Sequence, residues 1–196
     1  MKTLVKNAIS GLCIAASFLL ISSTLQAQVL ARSGEVAGTV GYDYTNYYPP
    51  DGPTSTHFCG GSGGYNATPY ISILGEYKYD PLSISGSPVT YYSQLFGGAA
   101  RFNFSPSKKI VPYTIVGVGD YRFTASESGE SVSFNGYYVN FGGGASVYCG
   151  KHWGIRPEVR YERQQGTFMG GSIHANVADV SGSIFYQWGG TGKKKK

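Results

Sequence analysis

The chain has 196 residues, including 29 Gly, 17 Tyr and 10 Phe, and its 16 Lys and Arg residues outnumber 11 Asp and Glu residues. The high Gly content and the scarcity of strong helix formers exclude a helical bundle, whereas Tyr, Phe, Val and Thr favour β-strands. A nucleic-acid-binding face is also excluded, because two lysines lie in residues 1–27 and four in residues 193–196, which leaves a nearly neutral body.

The N-terminal segment is predicted to be a cleavable secretory signal peptide that ends at Ala27. Lys2 and Lys6 give it a positive start, residues 8–21 are apolar or small, and Leu25 and Ala27 occupy the −3 and −1 positions of a cleavage site. The apolar run is shorter than the roughly 20 residues that a spanning helix needs, which argues against a retained anchor. Cleavage leaves a chain of one-domain length.

The mature chain repeats segments in which apolar and polar side chains alternate, separated by turn residues. Such segments of about ten residues are typical of membrane β-barrels. We therefore predict an eight-stranded antiparallel up-and-down transmembrane β-barrel over residues 28–190, followed by a basic tail over residues 191–196. The predicted strands are residues 35–44, 57–65, 70–79, 90–104, 110–124, a sixth strand ending at Tyr148, 153–162 and 175–188.

The alternation by itself does not distinguish a membrane barrel from a soluble, lipocalin-like barrel, in which the apolar face would point inward. Three features favour the membrane. Tyr, Phe and Trp lie near the strand ends, as an interfacial girdle requires. The charges of the other face nearly balance, as charges in a confined interior must. The apolar face also carries glycines that would pack a soluble core poorly, namely Gly38, Gly75, Gly98, Gly117, Gly119, Gly143 and Gly182.

The polar face is predicted to form a network of ion pairs in the lumen. In the fifth strand this assigns Tyr113, Ile115 and Tyr121 to the outer face, and Asp120 and Arg122 to the lumen. An eight-stranded barrel is just wide enough for its side chains to fill the interior, so no wide pore is expected. The predicted network consists of Glu35, Asp43, Glu76, Lys78, Arg101, Asp120, Arg122, Arg156, Glu158, Arg160, Glu162 and Asp179.

The predicted connections alternate in length. Turns of four or five residues follow strands two, four and six, and longer loops follow the others, which fits short periplasmic turns and longer outer loops. The loop after strand five is predicted over residues 125–131 and could extend to the hairpin-like Asn135–Gly136 pair. Pro157 removes a ladder hydrogen bond and is interpreted as a bulge. Cys59 then lies near the outer rim and Cys149 in an inner turn, too far apart for a disulfide, so two free thiols are predicted.

These segments resemble the outer-membrane β-barrel family that includes the OmpA transmembrane domain and opacity-type surface antigens. The resemblance covers about residues 34–190 and rests on the glycines at 142–144, the short turn after them and the strand at 153–162. Residues 184–188 resemble the C-terminal signal through which such barrels are recognised by the barrel-assembly machinery. OmpA carries a cell-wall-binding domain after its barrel. Because only eight residues follow Trp188 here, we expect that domain to be absent.

The resemblance implies a cell outer-membrane protein with lipid and lipopolysaccharide around it and no cofactor. We expect a structural or surface-interaction protein, adhesin-like or antigen-like, whose outer loops bind any partner. Residues 47–51 of the first loop are one candidate contact, although an ordinary solvated loop explains them as well.

A lipid-modifying outer-membrane enzyme is the alternative from another class. Asp43, His57, Ser172 and His174 belong to neighbouring strands and could converge near the outer rim. The sequence around His174 lacks the Ser two residues later that the deacylase family has, so a nucleophile–base pair is unsupported. Cys59 with the two histidines lacks the spacing of a metal motif. We therefore expect no catalysis.

Overall fold

The chain forms a single closed β-barrel. The computed structural model describes residues 28–48, 55–82, 89–127, 130–168 and 171–191. Each strand pairs antiparallel with the next, and the eighth pairs with the first, which confirms the predicted up-and-down topology. The strands are β1 Ala31–Tyr48, β2 Ser55–Asn66, β3 Ile71–Leu82, β4 Thr90–Asn103, β5 Ile110–Glu127, β6 Glu130–Tyr148, β7 Trp153–Phe168 and β8 Gly171–Thr191.

The stagger between the strands determines how steeply they tilt. A row of paired residues that starts at Gly38 passes once round the barrel and returns to β1 at Tyr48, ten residues further along. A stagger of ten over eight strands tilts them by about 40° to the barrel axis. The interior of such a barrel is filled by side chains, so residues that point inward from non-adjacent strands can meet.

The outer surface is apolar and the interior is polar, as predicted for a membrane barrel and opposite to a lipocalin. Exposed large hydrophobic side chains occur on every strand, whereas Glu35, Asp43, Arg101, Arg156 and Glu162 are buried. Exposed aromatic residues form a ring at each end of the apolar surface. One ring includes Phe104, Trp153 and Trp188, and the other includes Tyr42, Tyr44, Phe96, Tyr137 and Tyr161.

No helix among the described residues is long and apolar enough to cross a membrane.

The two ends of the barrel differ, and we name them by their connections. The turn end carries residues 67–70, 104–109 and 149–152 between paired strands, together with residues 28–30. The hairpin end carries the other four connections. There β5 and β6 are separated by two residues, as are β7 and β8, so the long loops predicted after strands five and seven are wrong.

Cross-strand pairs explain why these hairpins continue as strands. The rings of Phe123 and Phe134 stack with centroids 5.0 Å apart, and the hydroxyls of Thr124 and Ser133 are 2.9 Å apart. Asn135 and Gly136 therefore lie within β6, opposite Arg122 and Tyr121, and form no turn. Directly opposed aromatic and hydroxyl pairs stabilise antiparallel strands.

The strand containing Pro157 has no bulge. The β6–β7 ladder runs from Gly144 opposite Glu158 to Val147 opposite Ile155, so the same number of residues lies between these pairs on both strands. The Pro157 side chain is exposed on the outer surface of the barrel. The proline interrupts the ladder locally without changing the register.

The prediction of which β5 side chains point into the lumen is wrong. Tyr113, Ile115 and Tyr121 are buried in the interior, whereas Asp120 and Arg122 are exposed on the outer surface. Gly117 and Gly119 share the inward face and not the lipid-facing one. The error has a physical reason, because Val111 and Ile115 on one face oppose Val116 and Val118 on the other, so the strand is apolar on both sides.

Inward glycines allow neighbouring strands to approach each other closely. A Cβ atom added to Gly119 would lie 2.2 Å from the Phe96 carbonyl oxygen and 2.5 Å from the Gly97 Cα atom. A Cβ atom added to Gly38, on the outer surface, would meet nothing within 4 Å. Backbone atoms cannot rotate away as side chains do, so only the inward position resists a larger residue.

We predict that Gly119→Ala lowers the free energy of unfolding by about 1–3 kcal/mol, because β4 and β5 must separate to accept the methyl group. Gly38→Ala is the matched control and should leave stability unchanged. Urea titration of the barrel in lipid vesicles, followed by gel mobility without heating, measures both. Equal effects of the two substitutions would contradict the close approach of β4 and β5.

Candidate functional site: the charged lumen

The lumen at the turn end is centred on the carboxylate of Glu35. Its Oε1 and Oε2 atoms accept hydrogen bonds from Arg101 Nη1 at 2.9 Å and Nη2 at 2.8 Å. Arg156 Nη2 also donates to Oε1 at 2.8 Å. The side chain of Glu35 is only 1% exposed, that of Arg101 2% and that of Arg156 5%. One carboxylate therefore bridges two buried guanidinium groups.

Neutral polar groups extend this cluster around the barrel wall. Arg101 Nη2 donates to Ser72 Oγ at 3.2 Å, and Ser72 donates to Asn66 Oδ1 at 2.5 Å. Asn66 Nδ2 donates to Ser33 Oγ at 2.9 Å. The Arg156 guanidinium also lies 4.4 Å from the centroid of the Phe185 ring. These contacts supply the partners that a buried charge needs beyond its counter-ion.

The middle of the lumen is organised around Arg160. It donates two hydrogen bonds to Glu76, at 2.7 Å and 2.8 Å, and a third from Nε to Glu158 at 2.5 Å. The other oxygen of Glu158 accepts a 2.6 Å hydrogen bond from the Tyr113 hydroxyl. Bidentate Arg–carboxylate pairs of this kind fix geometry more strongly than single ion pairs do.

The lumen towards the hairpin end contains more acid than base. Lys78 Nζ lies 2.8 Å from Asp43 and 3.1 Å from Asp179, which are paired neighbours on β1 and β8. Ser93 donates to Asp80 at 2.8 Å, and Gln164 donates to Glu162 at 2.6 Å. Four buried carboxyl groups thus surround one ammonium group. The Oδ1 atom has no hydrogen-bond partner in Asp43, Asp80 or Asp179.

Ten of the twelve residues predicted for the network line the lumen, and two do not. Asp120 lies on the outer surface, where it is paired with Phe96 and Tyr137. Arg122 lies two residues further towards the hairpin end on the same face. Asp120 is therefore level with the aromatic ring of the hairpin end, and Arg122 lies just beyond that ring, at the edge of the apolar surface.

Asp80 is the luminal acid that the sequence prediction missed. The predicted third strand ended at Tyr79 and left Asp80 in the following loop, but β3 continues to Leu82. The alternation of Glu76 and Lys78 extends to Asp80 without a break, and that continuation was a signal in the sequence.

The space left between these side chains is small. A cavity of about 70 Å³ lies in the middle of the lumen, lined on its charged side by Glu76, Lys78, Arg160 and Glu162 and on the other by Tyr138. Such a volume holds a few water molecules. The packed ion pairs, and not an open channel, occupy the barrel interior.

Residues 28–30 close the turn end of the lumen. The Val29 amide donates to the Pro106 carbonyl at 2.9 Å, and Gln187 Nε2 donates to the Gln28 carbonyl at 2.9 Å. Val29 packs with Ala37, Val111, Tyr148 and Phe185 in an apolar cluster. The mouth of the barrel at this end is therefore plugged by the chain itself.

The cysteines and histidines do not assemble a second site. Cys59 is exposed on the outer face of β2, Cys149 lies in the last turn, and both thiols are free, as predicted. His57 stacks edge-on with Tyr42 on the outer surface, whereas Asp43 points into the lumen. His174 is paired with Tyr48, five residues along β1 from Asp43. Within the described ranges, no three His, Cys, Asp or Glu side chains lie in a metal-binding arrangement.

A family model agrees with this architecture. Residues 14–184 match the model described as the outer membrane protein beta-barrel domain. A search of curated proteins gave no match.

Solved structures of several outer-membrane proteins share the fold. Neisserial surface protein A (NspA) has a TM-score of 0.67 at 11% identity, covering 80% of this chain and 97% of that chain. The N-terminal β-barrel domain of Pseudomonas aeruginosa OprF has a TM-score of 0.54 at 16% identity, with coverages of 80% and 99%. The attachment invasion locus protein Ail of Yersinia pestis, in complex with the heparin analogue sucrose octasulfate, has a TM-score of 0.50 at 14% identity, with coverages of 78% and 99%. At these identities the likeness concerns the fold alone.

We predict that Glu35→Gln destabilises the barrel by about 3–5 kcal/mol, because it leaves two buried guanidinium groups facing each other without a counter-charge. Asp120→Asn removes an acid from the outer surface and is the control, with no measurable loss expected. Urea unfolding in vesicles at constant pH compares the two variants. A Glu35→Gln barrel as stable as the parent would mean that the ion pairs contribute nothing to the fold.

Proposed function

The chain belongs to the family of outer membrane protein β-barrel domains and is a bacterial outer-membrane protein, and from this we propose that it acts through its surface hairpins and not as a wide pore. The observation that carries the proposal is the filled lumen. Arg101, Arg156 and Arg160 each donate at least two hydrogen bonds to carboxylates or hydroxyls inside the lumen. A solute could pass only if several of these contacts broke together.

The route to the membrane follows from the same proposal. Residues 1–27 act as a signal peptide, residues 28–190 form the membrane domain, and residues 191–196 are a basic tail. On β8, Ile184, Tyr186 and Trp188 point outward, which gives the alternating apolar face that we propose the barrel-assembly machinery recognises. Gly189 and Gly190 follow with φ of 73° and 86°, so the backbone changes conformation directly after Trp188.

We propose that the turn end faces the periplasm and the hairpin end faces the exterior, as in other bacterial barrels. The β5–β6 and β7–β8 hairpins then project beyond the aromatic ring of the outer leaflet into the layer of lipopolysaccharide. Their exposed residues include Glu127, Glu130 and Arg163. Projecting hairpins on a rigid barrel are suited to contact with another surface.

The charges exposed at the hairpin end restrict the chemical class of partner that can bind there. Ail was crystallised with a sulfated heparin analogue, and such a ligand needs several cations on one face. Here the exposed cations of the hairpins are Arg122 and Arg163, and exposed acids including Asp120 lie beside them. The connecting residues 49–54, 83–88, 128–129 and 169–170 add no Lys or Arg. We therefore expect a neutral or basic partner, such as a protein surface, and not a sulfated polysaccharide.

We propose no catalytic role. The residues of the enzyme hypothesis lie on opposite faces of the barrel wall or several residues apart, as His57, Asp43 and His174 do. Hydrolysis of a lipid ester needs a nucleophile and a base within hydrogen-bonding reach. We predict that cells producing the His174→Ala protein have the same lipid A as cells producing the parent, and a difference in lipid A would contradict this view.

We predict that the reconstituted barrel does not admit small sugars. Liposomes that contain it should swell in isotonic sugar no faster than protein-free liposomes, and planar bilayers should show no large conductance steps. A general porin reconstituted at the same protein-to-lipid ratio is the positive control. Rapid swelling would show that the ion-pair network opens, and it would overturn the proposal that the protein is not a wide pore.

A shortened hairpin tests the surface role. Replacing residues 126–131 with Asn-Gly joins the paired positions Ala125 and Val132 by a tight turn and keeps the strand register. We predict that cells producing this variant adhere severalfold less to protein-coated plastic, while the barrel keeps its heat-dependent gel mobility. Unchanged adhesion with an intact barrel would leave a purely structural envelope role.

A further inference from the structure

The charged residues around the turn end are all basic. Arg32, Lys108 and Lys151 are exposed there, and Lys109 is half-buried. We call these four residues the turn-end basic rim. The three turns of this end contain no acidic residue, and Glu35, the acid on the nearest part of β1, is buried against its two arginines. The exposed Arg32, Lys108 and Lys151 therefore give the rim three positive charges that no acidic residue of these turns balances.

The rim lies directly beyond an aromatic ring. Lys151 is two residues from Trp153, and Lys108 is four residues from Phe104. Trp153, Trp188 and Phe104 are all half exposed on the outer surface, where aromatic side chains mark the boundary between hydrocarbon and headgroups. Lys and Arg side chains just beyond such a boundary extend along it and place their charges at the level of the phosphates.

The opposite end of the barrel has a different charge pattern. Exposed Asp120, Glu127 and Glu130 accompany Arg122 and Arg163 at the hairpin end, and the adjoining lumen contains more carboxylates than ammonium groups. The positive potential is thus a property of one end of the molecule and not of its whole surface.

We propose that the turn-end basic rim binds the phosphate groups of anionic phospholipids in the leaflet that surrounds this end. The rim residues come from β1, the β4–β5 turn and the β6–β7 turn, so they are spread around the mouth. Spread cations suit many separate headgroups, whereas a polymer strand is better matched by cations in one line. The proposal rests on the membrane location and is independent of the surface role of the hairpins.

Each Lys or Arg beside an anionic leaflet contributes about 1 kcal/mol, which corresponds to about a fivefold preference for an anionic lipid over a zwitterionic one.

Tryptophan fluorescence can measure this preference locally. The chain has two tryptophans, and both Trp153 and Trp188 lie at the turn end. The mature protein would be folded into vesicles of phosphatidylcholine and phosphatidylglycerol in which one lipid or the other carries brominated chains. The ratio of the two quenching efficiencies reports the enrichment of anionic lipid beside the rim.

We expect brominated phosphatidylglycerol to quench several times more strongly than its surface fraction implies at low ionic strength. The excess should be lost at 1 M salt, where the screening length falls to about 3 Å, and should be largely lost in Lys108→Gln/Lys151→Gln. Arg122→Gln/Arg163→Gln removes the same number of charges from the hairpin end and should keep it. Gel mobility without heating confirms that each variant is folded.

Equal quenching by the two lipids in the parent protein would overturn the proposal, as would an equal loss in both double variants. A third result would also overturn it. If the quenching ratio were one and the folded parent co-sedimented with purified peptidoglycan while Lys108→Gln/Lys151→Gln did not, the rim would bind the cell wall and not the leaflet.

Discussion

A strand that crosses lipid must have hydrogen-bond partners on both of its edges, because hydrocarbon offers none to an unpaired amide or carbonyl. In this chain that constraint is satisfied by closing eight strands into a ring, with β8 paired to β1 over most of its length. Closure with a stagger of ten residues determines which side chains share the interior. Glu35 of β1 meets Arg101 of β4 and Arg156 of β7 only because those strands are curved into a narrow tube.

The narrow interior explains why the polar face is charged and yet closed. A charge inside the tube has lost most of its water, so it persists only beside an opposite charge and further hydrogen-bond donors. The network meets this need best at the turn end and in the middle, around Glu35 and Arg160. Towards the hairpin end, Lys78 alone faces Asp43, Asp80, Glu162 and Asp179, so the charge is less well compensated there. The lumen is therefore tightly held at one end and acidic at the other.

The charges on the outer surface also differ between the two ends of the barrel. Basic residues with no acid among them surround the turn end, and mixed charges occupy the hairpins. The basic residues lie just outside the aromatic ring of the turn end, and the charges of the hairpin end lie level with the other ring or outside it. The apolar band between them is therefore free of charge on the described strands, as its contact with hydrocarbon requires. The positions of Asp120 and Arg122 follow from the same requirement, because they mark where that band stops.

The sequence by itself determined the number of strands, their order, the inverted polarity and ten of the luminal charges. Each of these depends on local alternation, and a strand with acids and bases on one side and Val, Tyr or Ile on the other has only one arrangement compatible with lipid. The tertiary structure decided what alternation could not. The face of β5 was set by its pairing with β6, since Val111, Ile115, Val116 and Val118 make both of its sides apolar. The lengths of the hairpins were set by contacts across strands, such as Phe123 with Phe134. The partners of each charge were set by barrel closure, because residues far apart in the chain become neighbours only when the eighth strand meets the first.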